Sequence, residues 1–165
     1  MQSIVLAYDD TESARGALES AAKLASALEA KLTVTSVAPV LVSVGRSGGL
    51  IDSADPPERH AEALEHARSY LREHGVQADY VNLIGPPADT IVRLAARRDA
   101  DLIIVGSRRP HRVTRWLGQS VSQSVVHKAR CAVLVVREPK QVGVAATSAA
   151  RRLAHPPNTR ERIAA

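Results

Sequence analysis

Five short apolar runs, each separated from the next by a segment with a different hydrophobic period, constrain this chain more than any other feature. The runs are Ile4-Val5-Leu6-Ala7-Tyr8, Leu32 to Val37, Ala78 to Ile84, Leu102-Ile103-Ile104-Val105 and Ala132-Val133-Leu134-Val135-Val136. All are strand-sized, and the longest falls far short of the roughly 20 residues a membrane helix needs. Between the first two, Ala14, Ala17, Leu18, Ala21, Leu24, Ala25 and Leu28 recur at spacings of three and four, interleaved with Arg15, Glu19, Lys23 and Glu29. That period is helical. Ala61, Leu64, Ala67, Tyr70 and Leu71, then Ile91, Leu94 and Ala95, mark a second and a third helix, and residues 119–128 a fourth. Strands alternating with helices predict an α/β fold built on a doubly wound parallel sheet, because parallel neighbours need a crossover and the helix supplies it.

Punctuation agrees with the periods. Asp9-Asp10-Thr11-Glu12-Ser13 supplies cap-type residues before the first helix, Gly75 stands just beyond the second, Gly85-Pro86-Pro87 opens the third, and Gly106-Ser107 is expected to terminate the fourth strand. Residues 38–56, rich in glycine and serine, read as a long irregular connection. The domain is expected to span residues 1–138. Residues 139–165, basic and alanine-rich with Pro156-Pro157, are expected to form a flexible tail.

At 165 residues this is one ordinary domain, and its single cysteine, Cys131, offers neither an internal disulfide nor a thiolate metal site. No basic, apolar leader opens the chain, so a cytoplasmic location is expected. The net charge of +5 is unevenly spread: residues 1–101 carry −5, residues 102–137 carry seven Lys/Arg and no acid, and the remainder carries +3. Attraction for anions is therefore local. Four aromatic residues and no phenylalanine leave few stacking platforms, which argues against nucleic acid as the partner.

In an open parallel sheet, ligands bind beyond the carboxyl ends of the strands where the winding reverses. Asp9 and Gly106 occupy such ends. If strands one and four are neighbours there, Asp9, Val37 and the loop from Gly106 to Ser120 share one cleft. The helix beginning near Ser120 would aim its unpaired N–H groups and positive dipole end into it, a ready phosphate site.

At four places the chain resembles the universal stress protein family: Ile4 to Asp9, Gly85-Pro86-Pro87-Ala88, Ala100 to Arg108, and Ser120 to Val136. The resemblance covers roughly residues 1–138. It implies a Rossmann-like sheet of order 3-2-1-4-5 with four helices, usually dimeric, in which some members bind ATP and others bind no nucleotide. Binding members carry G-x2-G-x9-G-[ST]. Here Gly106 fits the first glycine and Ser120 the terminal hydroxyl, whereas Arg109 and Gln119 stand at the other two glycine positions, with Gly118 displaced by one residue. A side chain at such a point removes the freedom glycine gives the backbone near phosphate. Arg109 would compensate with charge, since a guanidinium makes paired hydrogen bonds to phosphate.

By the same resemblance, Ala7, Tyr8 and Asp9 would lie near ribose and adenine, and the backbone of Val37 would meet the adenine edge. Gly106, Arg108, Arg109, Gln119, Ser120 and Val121 would surround the phosphates, with Mg2+ accompanying ATP. Other readings stand beside these. Asp9 and Ser120 suit helix capping, the arginine run suits a solvated loop, and Gly106 suits a strand end.

Other chemistries find no pattern. His60, Glu62, His66 and His74 are expected on the exposed face of the second helix, without H-E-x-x-H spacing. Ser120 lacks the G-x-S-x-G elbow, and neither a Walker P-loop nor a G-x-G-x-x-G turn is present. No catalytic group is assigned, and any ATP hydrolysis would be slow. The fifth strand, apolar on both faces yet at the sheet edge, predicts a homodimer through residues 132–137. The function expected is an adenine-nucleotide-binding, dimeric stress-response protein; the alternative is a nucleotide-free dimerisation module.

Overall fold

The first apolar run forms β1 (Ser3–Ala7), whose Ile4, Val5 and Leu6 are fully buried because the strand lies at the centre of the sheet. In chain order there follow α1 (Glu12–Leu28), β2 (Lys31–Ala38), β3 (Leu41–Val42), β4 (Ile51–Asp52), α2 (Pro57–Glu73), β5 (Ala78–Ile84), α3 (Pro87–Arg97), β6 (Leu102–Ser107), α4 (Val121–Lys128) and β7 (Ala132–Arg137). This is a computed structural model describing residues 1–39, 41–42, 51–52, 56–107 and 120–137.

β5, β2, β1, β6 and β7 pair side by side in that order, all parallel, which is the expected 3-2-1-4-5 arrangement of the five long strands. Val5 lies opposite Thr33 on one side and Ile103 on the other. Winding reverses between β1 and β6. Successive side chains on a strand point to opposite faces, and the two faces carry separate cores. Ile4, Leu6, Tyr8, Leu32, Val34, Leu102 and Ile104 pack under α1 and α2. Val5, Ile103 and Val105 pack with Ile91, Leu94 and Ala95 of α3 and Val125 of α4.

Alanine at positions 14, 17, 21 and 25 lets α1 settle close to the sheet, each residue no more than 4% exposed. Thr11 caps this helix through its hydroxyl, which accepts from the Ala14 N–H at 3.4 Å. At the far end of α2, Gly75 takes φ +69 just past the cap residue His74, a conformation that costs glycine least. The amino edge of the sheet is pinned by Asp101, whose Oδ2 accepts from the N–H groups of Gln2 at 2.6 Å and Ser3 at 3.1 Å. Those two bonds hold its carboxyl below the usual carboxylate range.

Two details depart from the sequence reading. Gly106-Ser107 does not end the fourth strand but continues it, paired with Val136 and Arg137. The connection 38–56 contains a two-residue antiparallel ribbon, Leu41 opposite Asp52 and Val42 opposite Ile51. Runs that short fall below any hydrophobic period. Residues 138–165, including the expected tail, lie outside the described residues.

Candidate functional site

The carboxyl ends of β1 and β6 are neighbours, with Ala7 opposite Val105, so the winding reverses where the sequence places it, the position at which open parallel sheets bind ligands. On the α3/α4 face of this end, Ala7, Val37, Leu83 and Ala88 are partly buried against the core of Val105 and Val125, forming an apolar floor. α4 starts at this end of the sheet, since it runs back antiparallel to the strands before β7. Ser120 stands at its N-cap position but its side chain makes no capping hydrogen bond. Its hydroxyl instead shares a 2.8 Å hydrogen bond with that of Ser122, which is buried. The first turn of α4 carries no acid of its own to offset the positive end of the helix dipole, and its last turn carries His127 and Lys128. Lys128 pairs with Asp89 in the first turn of α3 at 2.7 Å, tying the two helices together.

Gly106 has a packing reason to be glycine. A Cβ there would lie 2.7 to 2.8 Å from backbone atoms of Ser13 and Ala14, so the close crossing of α1 over β6 leaves no room for a side chain at that point. Asp9 is exposed, and its Oδ1 accepts from the Thr11 hydroxyl at 2.6 Å and N–H at 3.3 Å. The carboxylate therefore braces the cap of α1, with Thr11 rather than Asp9 as the cap residue. Tyr8, Asp9's neighbour, turns its ring to the α1/α2 face, 4% exposed. Val121 is half exposed at the start of α4. Arg108, Arg109 and Gln119 lie outside the described residues.

Sequence reading misses two groups. Asp10, in the left-handed conformation at φ +57, accepts from the Tyr8 hydroxyl at 2.8 Å, from Arg15 at 3.0 and 3.2 Å, and from His66 Nδ1 at 2.9 Å. Arg15 above all holds its carboxyl well below the usual range, while burial, helped by Asp10, pushes the Tyr8 hydroxyl well above its own. The second group corrects the expectation for His60, which is not on an exposed face: it is 7% exposed, with Nδ1 2.8 Å from the Ser36 hydroxyl and Nε2 without a partner. The signal was present, for His60, Leu64, Ala67 and Leu71 recur at helical spacing and fall on one buried stripe.

Among the described residues no cluster of His, Cys, Asp and Glu could hold a metal, and no helix is long and apolar enough to cross a membrane. Burial raises the Cys131 thiol above its ordinary value, which suits a packed side chain and not a reactive one.

Comparison with known proteins matches residues 1–137 to the model of the universal stress protein family. Stress response protein NhaX of Bacillus subtilis is 30% identical, the match covering 81% of this chain and 96% of that protein. A universal stress protein of Methanocaldococcus jannaschii is also 30% identical, over 84% of this chain and 83% of its own length. Among solved structures, the universal stress protein of Archaeoglobus fulgidus in complex with dAMP superposes with a TM-score of 0.63 at 25% identity, covering 82% of this chain and 98% of that one. With residues 1–137 matched and the sheet order and helices agreeing, this chain belongs to the universal stress protein family.

Proposed function

We propose that this chain is a dimeric stress-response protein that binds an adenine nucleotide, ATP with its Mg2+, beyond the carboxyl ends of β1 and β6. The observation that carries the reading is the apolar floor of Ala7 and Val37 beside the first turn of α4, whose N-cap side chain does not cap it. A flat base suits the first, and a phosphate suits the second. Arg108 and Arg109 would add charge around the phosphates. The A. fulgidus protein, of the same family, is in complex with dAMP, which supports an adenine nucleotide as ligand.

Binding, not turnover, is the proposed role. The carboxylate nearest the cleft, Asp9, is committed to Thr11 by a 2.6 Å hydrogen bond and braces a helix cap, which argues against its serving as a general base. Dimerisation would use β7. Among the described residues β7 pairs with β6 alone, and Leu134 on it is an exposed apolar residue. A dimer of this kind acting in the cytoplasm completes the proposal.

Calorimetric titration with Mg-ATP, alongside chromatography of nucleotide released on denaturing the purified protein, tests the ligand. Saturable binding that Ser120→Asp weakens is expected, because a carboxylate at the helix start would repel phosphate. No heat and no released nucleotide would favour the nucleotide-free dimerisation module.

A further inference from the structure

On the α1/α2 side of β1, opposite the adenine cleft, a hollow of about 370 Å³ lies between α1 and α2, with Tyr8, Asp10, Arg15, Glu19, His66 and Tyr70 in its wall. Asp10 is its hub. Oδ1 accepts from the Tyr8 hydroxyl and Arg15 Nε, and Oδ2 from Arg15 Nη2 and His66 Nδ1. An ionised carboxylate can only accept, so His66 carries its hydrogen on Nδ1. One side chain thus gathers donors from the residue after β1, from α1 and from α2.

The backbone of the same residue is the link in the β1–α1 turn. Asp10 sits at φ +57, a left-handed conformation that costs aspartate more than it costs glycine. It is flanked by Asp9 and Thr11, which are bonded to each other across it. We infer that Asp10 is a positioning residue: clamped from the α1/α2 groove, it fixes the turn that presents Asp9 to a nucleotide on the opposite face, so that the groove tunes nucleotide affinity. This rests on the nucleotide reading above. Coupling of this kind is reciprocal, and an occupied cleft in turn steadies the hub. His66, whose side chain is 65% exposed, is the member of the hub most open to solvent along with Arg15.

The test compares the full chain with Asp10→Gly and His66→Ala by two readouts: amide hydrogen exchange at residues 11–14 without nucleotide, and calorimetric titration with Mg-ATP. Glycine keeps the left-handed turn and removes the clamp, and His66→Ala removes a mostly exposed side chain that folding does not need. Exchange at 11–14 is expected to quicken about tenfold in Asp10→Gly and about threefold in His66→Ala, with β5 amides unchanged, and Kd to rise by similar factors. Unchanged exchange in Asp10→Gly overturns the clamp whatever the affinity does. Faster exchange with an unchanged Kd overturns the tuning. A parent chain that takes up no nucleotide overturns the nucleotide reading, and the tuning with it, while faster exchange in Asp10→Gly still supports the clamp.

Discussion

Gly106 on β6 faces Ser13 on α1 so closely that a Cβ on the glycine would stand 2.7 Å from the serine's carbonyl carbon. Backbone meets backbone there, and no flexible side chain can yield. Gly106→Ala is expected to destabilise the fold by about 1–3 kcal/mol, the usual cost of forcing extra volume into a packed site. Urea unfolding checks it, the midpoint falling with the slope unchanged. An alanine variant as stable as the parent would show that α1 can move off β6.

Ser36 and His60 form a buried pair between β2 and α2. Removing one partner leaves a second imidazole nitrogen unsatisfied, and Ser36→Ala is expected to cost about 1–3 kcal/mol. Replacing both, as Ser36→Ala with His60→Leu, should recover most of that loss, since two apolar groups leave nothing unpaired. Thermal unfolding of the two singles and the double reads the coupling, and simple additivity would deny it.

Asp10 gives the stability curve an acid limb. Its carboxyl is held below the usual range in the folded chain, chiefly by Arg15. The stability it contributes is therefore fully present above the unfolded carboxylate value of about 4 and is lost as pH falls below it. Asp10→Asn is expected to weaken the protein at about pH 7 and to do so by a smaller margin at about pH 3, where the parent has begun to lose this contribution. Urea titrations at the two pH values measure this; a constant gap between the two proteins would contradict it.

Leu134 is the large apolar residue exposed on the edge strand β7. Leu134→Lys is expected to convert a dimer to a monomer while leaving the far-ultraviolet circular dichroism unchanged, because the side chain lies outside both cores. Light scattering reads the mass. A dimer that survives the lysine would place the interface elsewhere.

The sequence makes the sheet and helices legible because each long element is written in a repeated period: β5 is read at its observed bounds, Ala78–Ile84, and the helix after Thr11 follows from seven apolar positions. The β3–β4 ribbon is two residues a side and leaves no period to find. Site features behave differently. The apolar floor of Ala7 and Val37 and the start of α4 follow from topology once the strand order is assumed. The Asp10 hub joins residues 2, 5 and 56 positions apart, and no local pattern announces a contact of that last separation. Gly106 illustrates a residue read correctly as special and for an incomplete reason: the close crossing of α1 is tertiary, and a glycine in a strand signals close approach without saying of what.

A crystal of the full chain soaked in Mg-ATP tests the central claim most directly. The account predicts the adenine against Ala7 and Val37 and the phosphates at the N–H groups that open α4. Density for nucleotide elsewhere, or a cleft closed by the protein's own side chains in excess ATP, would contradict it.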